Sequence, residues 1–241
     1  MRTLPTSQRF IVVSAALFFG SAALTIGWCG SMSALHGMPM CSGRALTTPM
    51  SAAEFLGMWM AMMVAMMLPS LLPTLWRYRQ AVVTTARLDV LTAYVGLGYF
   101  FVWAAFGVLA FAAESAMPDM TTRWPMAMGT IVLIAGALQF SRWKTHHLIC
   151  CRAAPDCCER LAAEVRTAWR HGLRLGMHCV QCCFGLTVVL LAVGMMDLRA
   201  MALVTAAISL ERLAPRGPRV ARCIGGLLVA TGAFMIAHAM I

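Results

Sequence analysis

Between Met58 and Met67 the chain places six methionines in ten residues, in the run Met58-Trp59-Met60-Ala61-Met62-Met63-Val64-Ala65-Met66-Met67-Leu68-Pro69. Farther along, His178-Cys179-Val180-Gln181-Cys182-Cys183 sets three thiols and an imidazole within six residues. A thioether is a flexible apolar packer and also a soft ligand suited to Cu(I). A thiolate binds soft metals or forms half of a dithiol–disulfide couple. One methionine or one buried cysteine needs no explanation beyond packing, but clusters of both in one chain point to soft-metal chemistry.

Spacing sharpens this reading. At about 100° of rotation per residue, Cys179, Cys182 and Cys183 share one helical face, with His178 beside it. Met58, Met62 and Met66 form one stripe, and Met60, Met63 and Met67 another, so one set can face a site while the other packs. The candidates nearest Pro69 are Met62, Met63, Met66 and Met67. Pro69 and Pro73 each lack a backbone donor and leave a carbonyl one turn earlier without its usual partner, so a kink is expected there.

Two more groups carry ligand chemistry. His146, His147, Cys150, Cys151, Cys157 and Cys158 lie between two apolar segments, without the separated pairs of a zinc-finger pattern. Thiols on a cytosolic face stay reduced, which favours metal binding or redox sensing over a structural disulfide. His147 and Cys151 join the candidate ligands. Cys29 and Cys41, with Met32, His36, Met38 and Met40 between them, read equally as a disulfide or as a metal-collecting loop. Glu54 and Glu211 fall at span ends, where charge is tolerated, and Glu211 beside Arg212 reads as an interfacial ion pair.

The elements that must position these groups are membrane helices. Of the 241 residues 61% are hydrophobic and 12% charged, with a mean hydropathy of +0.77, which excludes an ordinary soluble domain. Crossing a hydrocarbon core of about 30 Å takes about 20 apolar residues. Such runs cover Phe10 to Trp28, Phe55 to Leu75, Val90 to Ala113, Pro125 to Phe140, Leu175 to Met196 and Cys223 to Ile241, and a shorter one covers Ala200 to Leu210. The net charge of +10 comes from 18 Arg and one Lys. Counted on alternate sides of seven spans, these fall sixteen against three, which puts the N-terminus in the cytoplasm and the C-terminus outside by the positive-inside rule. The basic residues therefore mark topology and not a nucleic-acid groove. If Ala200 to Leu210 did not cross, six spans would remain and Arg212 to Arg222 would lie outside. Arg2 and Arg9 before an apolar run, with Ser21-Ala22-Ala23 after it, also resemble a signal peptide, but the apolar run is long for one.

The expected organisation is an all-α, polytopic bundle forming one integral-membrane domain over residues 1–241. An outer Met/His/Cys loop covers residues 29–51, and a cytoplasmic His/Cys loop covers residues 141–171. In the second half of the latter, Leu161, Val165, Ala168 and Trp169 line one face of an amphipathic helix. Gly172-x-x-x-Gly176 is a small-xxx-small pattern that lets a neighbouring helix come close. No phosphate-cradling glycine loop is found, so primary active transport by this chain alone is not expected.

Trp59-x-x-Met62-x-x-Ala65-Met66-Met67-Leu68-Pro69-Ser70, then Gly176-x-x-Cys179-x-x-Cys182-Cys183, then Glu211 before a basic loop, resemble the bacterial family of predicted metal-binding integral membrane proteins, a domain of unknown function. The resemblance runs from about Met58 to the C-terminus. It implies metal binding in a bacterial inner membrane. The family typically carries a Lys, a Cys three residues later, and a second Cys followed by Arg; Lys144, His147 and Cys151-Arg152 take those places here. Gln181 stands where Gly is usual before the paired cysteines.

These observations lead to a multi-pass inner-membrane protein that binds a soft metal, Cu(I) before Zn, for transfer across the membrane or delivery to a metallochaperone or second membrane subunit. The candidate ligands are Met62, Met63, Met66, Met67, His147, Cys151, His178, Cys179, Cys182 and Cys183, and no catalytic residue is assigned. The alternatives are a membrane thiol–disulfide oxidoreductase using Cys179 and Cys182, and a structural membrane subunit without metal.

Overall fold

The computed structural model describes residues 6–36, 51–82, 87–116, 125–153, 164–194 and 197–240, and these form eight helices without a strand. They are α1 (Thr6–His36), α2 (Ala52–Ala81), α3 (Leu88–Ala116), α4 (Pro125–Leu138), α5 (Arg142–Ala153), α6 (Val165–Val193), α7 (Leu198–Leu213) and α8 (Gly217–Ala239). Among them α1, α2, α3, α6 and α8 are long and apolar enough to cross a membrane. The bent pair α4–α5 makes a sixth if it counts as one span. The bundle is all-helical, as its long apolar runs require: in lipid a helix satisfies every backbone donor and acceptor internally. At 16 residues, α7 is about 24 Å long, short of the hydrocarbon thickness. Cys41, Met38, Met40, Cys157, Cys158 and Leu161, all weighed in the sequence, lie outside the described residues.

The methionine helix is the centre of the bundle. In its most apolar window α2 is 67% buried, against 11% for α1, and it packs on α1, α3 and α7. It starts with a capping box: Glu54 N–H donates to Ser51 Oγ, and Ser51 N–H to Glu54 Oε2 at 2.9 Å, so two otherwise orphaned donors are satisfied. Glu54 is therefore a capping residue. Pro69 and Pro73 do not end α2, which runs on to Ala81; both line an apolar cavity shared with Phe10 and Ile11 of α1. Near the end of α2, Arg79 pairs with Asp89, in the first turn of α3, at 2.8 Å.

Where a loop is expected from residue 141, residues 142–153 form α5, bent 64° from α4. The break is a tight turn in which Gln139, Phe140 and Ser141 N–H donate to Gly136, Ala137 and Leu138 carbonyls. Ser141 Oγ then accepts from Lys144 N–H, the polar side chain a new helix start needs. This corner turns α5 against α6. Val165, Ala168 and Trp169 belong to the first turns of α6 and continue into the cysteine helix without a break.

The Gly172-x-x-x-Gly176 pattern acts as its spacing predicts. A Cβ at Gly172 would run into the Val95 carbonyl, and one at Gly176 would lie 2.9 Å from the Tyr99 carbonyl oxygen. Only hydrogen at these two positions lets α3 and α6 touch backbone to backbone.

Candidate metal centre

Cys179, Cys182 and Cys183 have their Sγ atoms within 4.8 Å of one another, all buried. The periodicity of α6 puts them on one face, and that face is turned inward. Sγ separations are 3.9 Å for Cys179–Cys183 and 3.5 Å for Cys182–Cys183. A fourth sulfur arrives from α5: Cys151 Sγ is 3.7 Å from Cys182 Sγ. Ligand bonds of about 2.3 Å at tetrahedral angles hold thiolates about 3.8 Å apart, so the α6 spacings suit one ion shared by Cys179, Cys182 and Cys183, with Cys151 a further sulfur beside Cys182.

His147 and His178 stand one turn before Cys151 and Cys182. Their Nδ1 atoms are 3.1 Å apart, close to the separation of two imidazoles sharing a tetrahedral ion at about 2.0 Å. Both rings are half-buried, whereas the cysteines are enclosed. Next to them the exposed His146 has Nε2 3.7 Å from Cys150 Sγ. Nitrogen donors thus lie toward the surface and sulfur donors toward the interior.

Met62, Met63, Met66 and Met67 are each 1% exposed or less and share one continuous core with the four cysteines. Lipid tails are as apolar as leucine, so enclosing a thioether in a membrane bundle gains little hydrophobic free energy. It gains close packing by a flexible side chain. Met60, which spacing assigns to the second stripe, is only half-buried.

Two side chains that sequence reasoning did not assign to the site complete it. Tyr99 of α3 donates its hydroxyl to Cys179 Sγ at 3.0 Å, and Arg212 of α7 donates Nη1–H to the same sulfur at 3.3 Å and to Ser70 Oγ at 2.9 Å. Ser70 in turn donates to the Met67 carbonyl, which ties the methionine helix to the cysteine helix through one guanidinium. Two donors and a fixed positive charge on one sulfur are the surroundings that a thiolate ligand needs. The Gly176 contact explains Tyr99: it brings the Tyr99 backbone against α6 one turn before Cys179.

Glu211 does not pair with its neighbour Arg212. Its Oε2 accepts from Lys144 Nζ at 2.7 Å in the interior, where both residues are under 5% exposed. Arg152 donates to the Glu211 carbonyl at 2.9 Å and to the Pro215 carbonyl. Lys144, His147, Cys151 and Arg152, the four positions matched through the family resemblance, each bind a partner on α6, on α7 or in the turn after α7.

A search of curated proteins and a search of solved structures each return no match. The model of the family PpoB2, described as a copper chaperone, matches residues 56–235, a stretch that spans the methionine helix, Tyr99, all four clustered cysteines and Arg212. The chain therefore belongs to the PpoB2 copper chaperone family.

Proposed function

We propose that this protein holds Cu(I) in the bundle core on Cys151, Cys179, Cys182 and Cys183, and hands it across the membrane or on to a partner. The observation that carries the reading is the meeting of four sulfurs from two helices around Cys182. A donor set of sulfur alone selects Cu(I) or Zn. The methionine-lined core and the copper description of the family favour Cu(I). Thiolates around a monovalent ion leave net negative charge, which Arg212 offsets from within hydrogen-bonding distance. His147 and His178 form the step nearest the cytoplasmic surface, and Met62, Met63, Met66 and Met67 extend the path through α2. The membrane is the bacterial inner membrane, crossed seven times with the N-terminus inside.

Metal analysis of the detergent-purified protein tests this. Wild type is expected to retain about one Cu(I) per chain under anaerobic conditions, and a Cys179/Cys182/Cys183 triple serine variant none. Equal copper passage in vesicles carrying wild type and a Met62/Met66/Met67 triple alanine variant would remove the methionines from the path.

One observation also favours a second reading. The donors on Cys179 are those of a reactive thiolate, and Cys182→Ser would trap a mixed disulfide on Cys179 if the chain were a thiol–disulfide oxidoreductase.

A further inference from the structure

Beside the sulfur cluster lies a cavity of about 270 Å³ lined by Ser70, Thr74, Arg77, Cys151, Arg152 and Arg212, together with Pro73 and Leu213. Its floor (Ser70, Thr74, Cys151, Arg212) is buried, and Arg77, Pro73 and Leu213 at its rim are exposed. Three guanidiniums face it and no carboxylate lines it.

Each arginine spends its hydrogen bonds on neutral or sulfur acceptors. Arg77 donates to the Arg152 carbonyl at 2.8 Å, Arg152 to the Glu211 and Pro215 carbonyls, and Arg212 to Ser70 and Cys179. Among the described residues none of the three pairs with a carboxylate, and Arg212 Nη2 is buried without a hydrogen-bond partner. The nearest acid, Glu211, is taken up by Lys144. A buried guanidinium with an unused donor is costly unless an anion meets it. The volume lies just below the usual range for small-ligand pockets, so the occupant is a small molecule and not a protein segment.

We propose that this cavity receives a small thiol carrying a carboxylate, complexed to Cu(I), and is the loading port of the sulfur cluster. The inference rests on the reading of the cluster as a Cu(I) site. Arg212, through its unused Nη2 donor, and Arg77 and Arg152 hold the carboxylate while the carrier's sulfur brings copper to Cys151 Sγ at the floor. Transfer is ligand exchange: one Cu–S bond to the carrier breaks and one to Cys151 forms. Copper stays monovalent, and the Cys151 thiol proton leaves on the released carrier thiol.

The test is anaerobic loading of the full-length, copper-free protein in detergent from Cu(I) complexes of three thiols of similar size. These are thioglycolate (anionic), 2-mercaptoethanol (neutral) and cysteamine (cationic). Wild type should load about ten times faster from thioglycolate than from 2-mercaptoethanol, with cysteamine slowest, the scale of electrostatic focusing into a charged cleft. The ratio should shrink in Arg77→Gln and vanish in Arg77→Glu, and the final copper content of each variant reports whether its cluster is still formed. Equal rates from all three donors in wild type, with full final occupancy, overturn the port and leave the copper site standing. No copper from any donor overturns the copper site itself. Slowing by added phosphate without any preference among donors would assign the cavity to a free anion and overturn the proposal.

Discussion

Cys151 on α5 and Cys182 on α6 hold their sulfurs 3.7 Å apart, and four residues earlier on each helix His147 and His178 repeat the contact at 3.1 Å. Matching contacts at a matching offset of one turn join α5 to α6 at two levels. Each rung joins like donors: imidazole with imidazole near the surface, thiol with thiol inside.

Removing the α5 half of the inner rung should weaken the metal site without abolishing it. Cys151→Ser leaves the three sulfurs of α6 in place, so copper stoichiometry should hold while Cu(I) affinity falls by about tenfold or more, a loss typical of altered metal surroundings. Competition with a chromophoric Cu(I) chelator measures both quantities.

Arg212 donates to Cys179 Sγ, so the proposed Cu(I) site should feel its loss. Arg212→Met is expected to lower Cu(I) affinity about 10- to 100-fold, and Arg212→Lys, which keeps the charge but not the forked donors, should fall between. The same chelator competition checks this, with thermal unfolding in detergent to confirm that each variant is folded.

The Lys144–Glu211 pair is enclosed, so breaking it from one side leaves a charge unmatched. Lys144→Met should cost about 3 kcal/mol or more, whereas Lys144→Met combined with Glu211→Gln should recover most of it. Denaturant unfolding in detergent gives the two values, and equal losses in the single and double variants would refute the buried-pair account.

Orientation can be read from reporters fused at residue 240 and within residues 154–163. Seven crossings put the C-terminal reporter outside and the inner one in the cytoplasm. Both reporters in the cytoplasm would mean that α7 does not cross, a real alternative for a helix of 16 residues.

Much of this arrangement is readable along the chain, and what is not has identifiable causes. The cysteine face of α6 and the Gly172–Gly176 contact follow from helical period alone, because both are properties of one helix. Cys151 is recognisable because the family resemblance matches it, with Lys144 and His147, to a position of the family's pattern. The helix it sits on is less so, because its inward stripe of Lys144, Leu148 and Cys151 begins with a lysine and looks like solvated loop. Glu211 and Arg212 are neighbours in sequence, but residues one apart on a helix point about 100° apart. They therefore reach different partners, Lys144 and Cys179. Tyr99 and Arg212 carry no local signal, since their roles arise only when three separate helices converge on one sulfur.

The backbone contact between α3 and α6 leaves no slack along that seam. The jaw formed by Tyr99 and the cysteines of α6 is thus fixed. The opposite jaw is built differently: the short α5 hangs from the sharp corner at Ser141 and contributes a single sulfur. If the proposed ion is held there, an outward swing of that arm is the movement that would open the clasp while the three teeth of α6 stay in place.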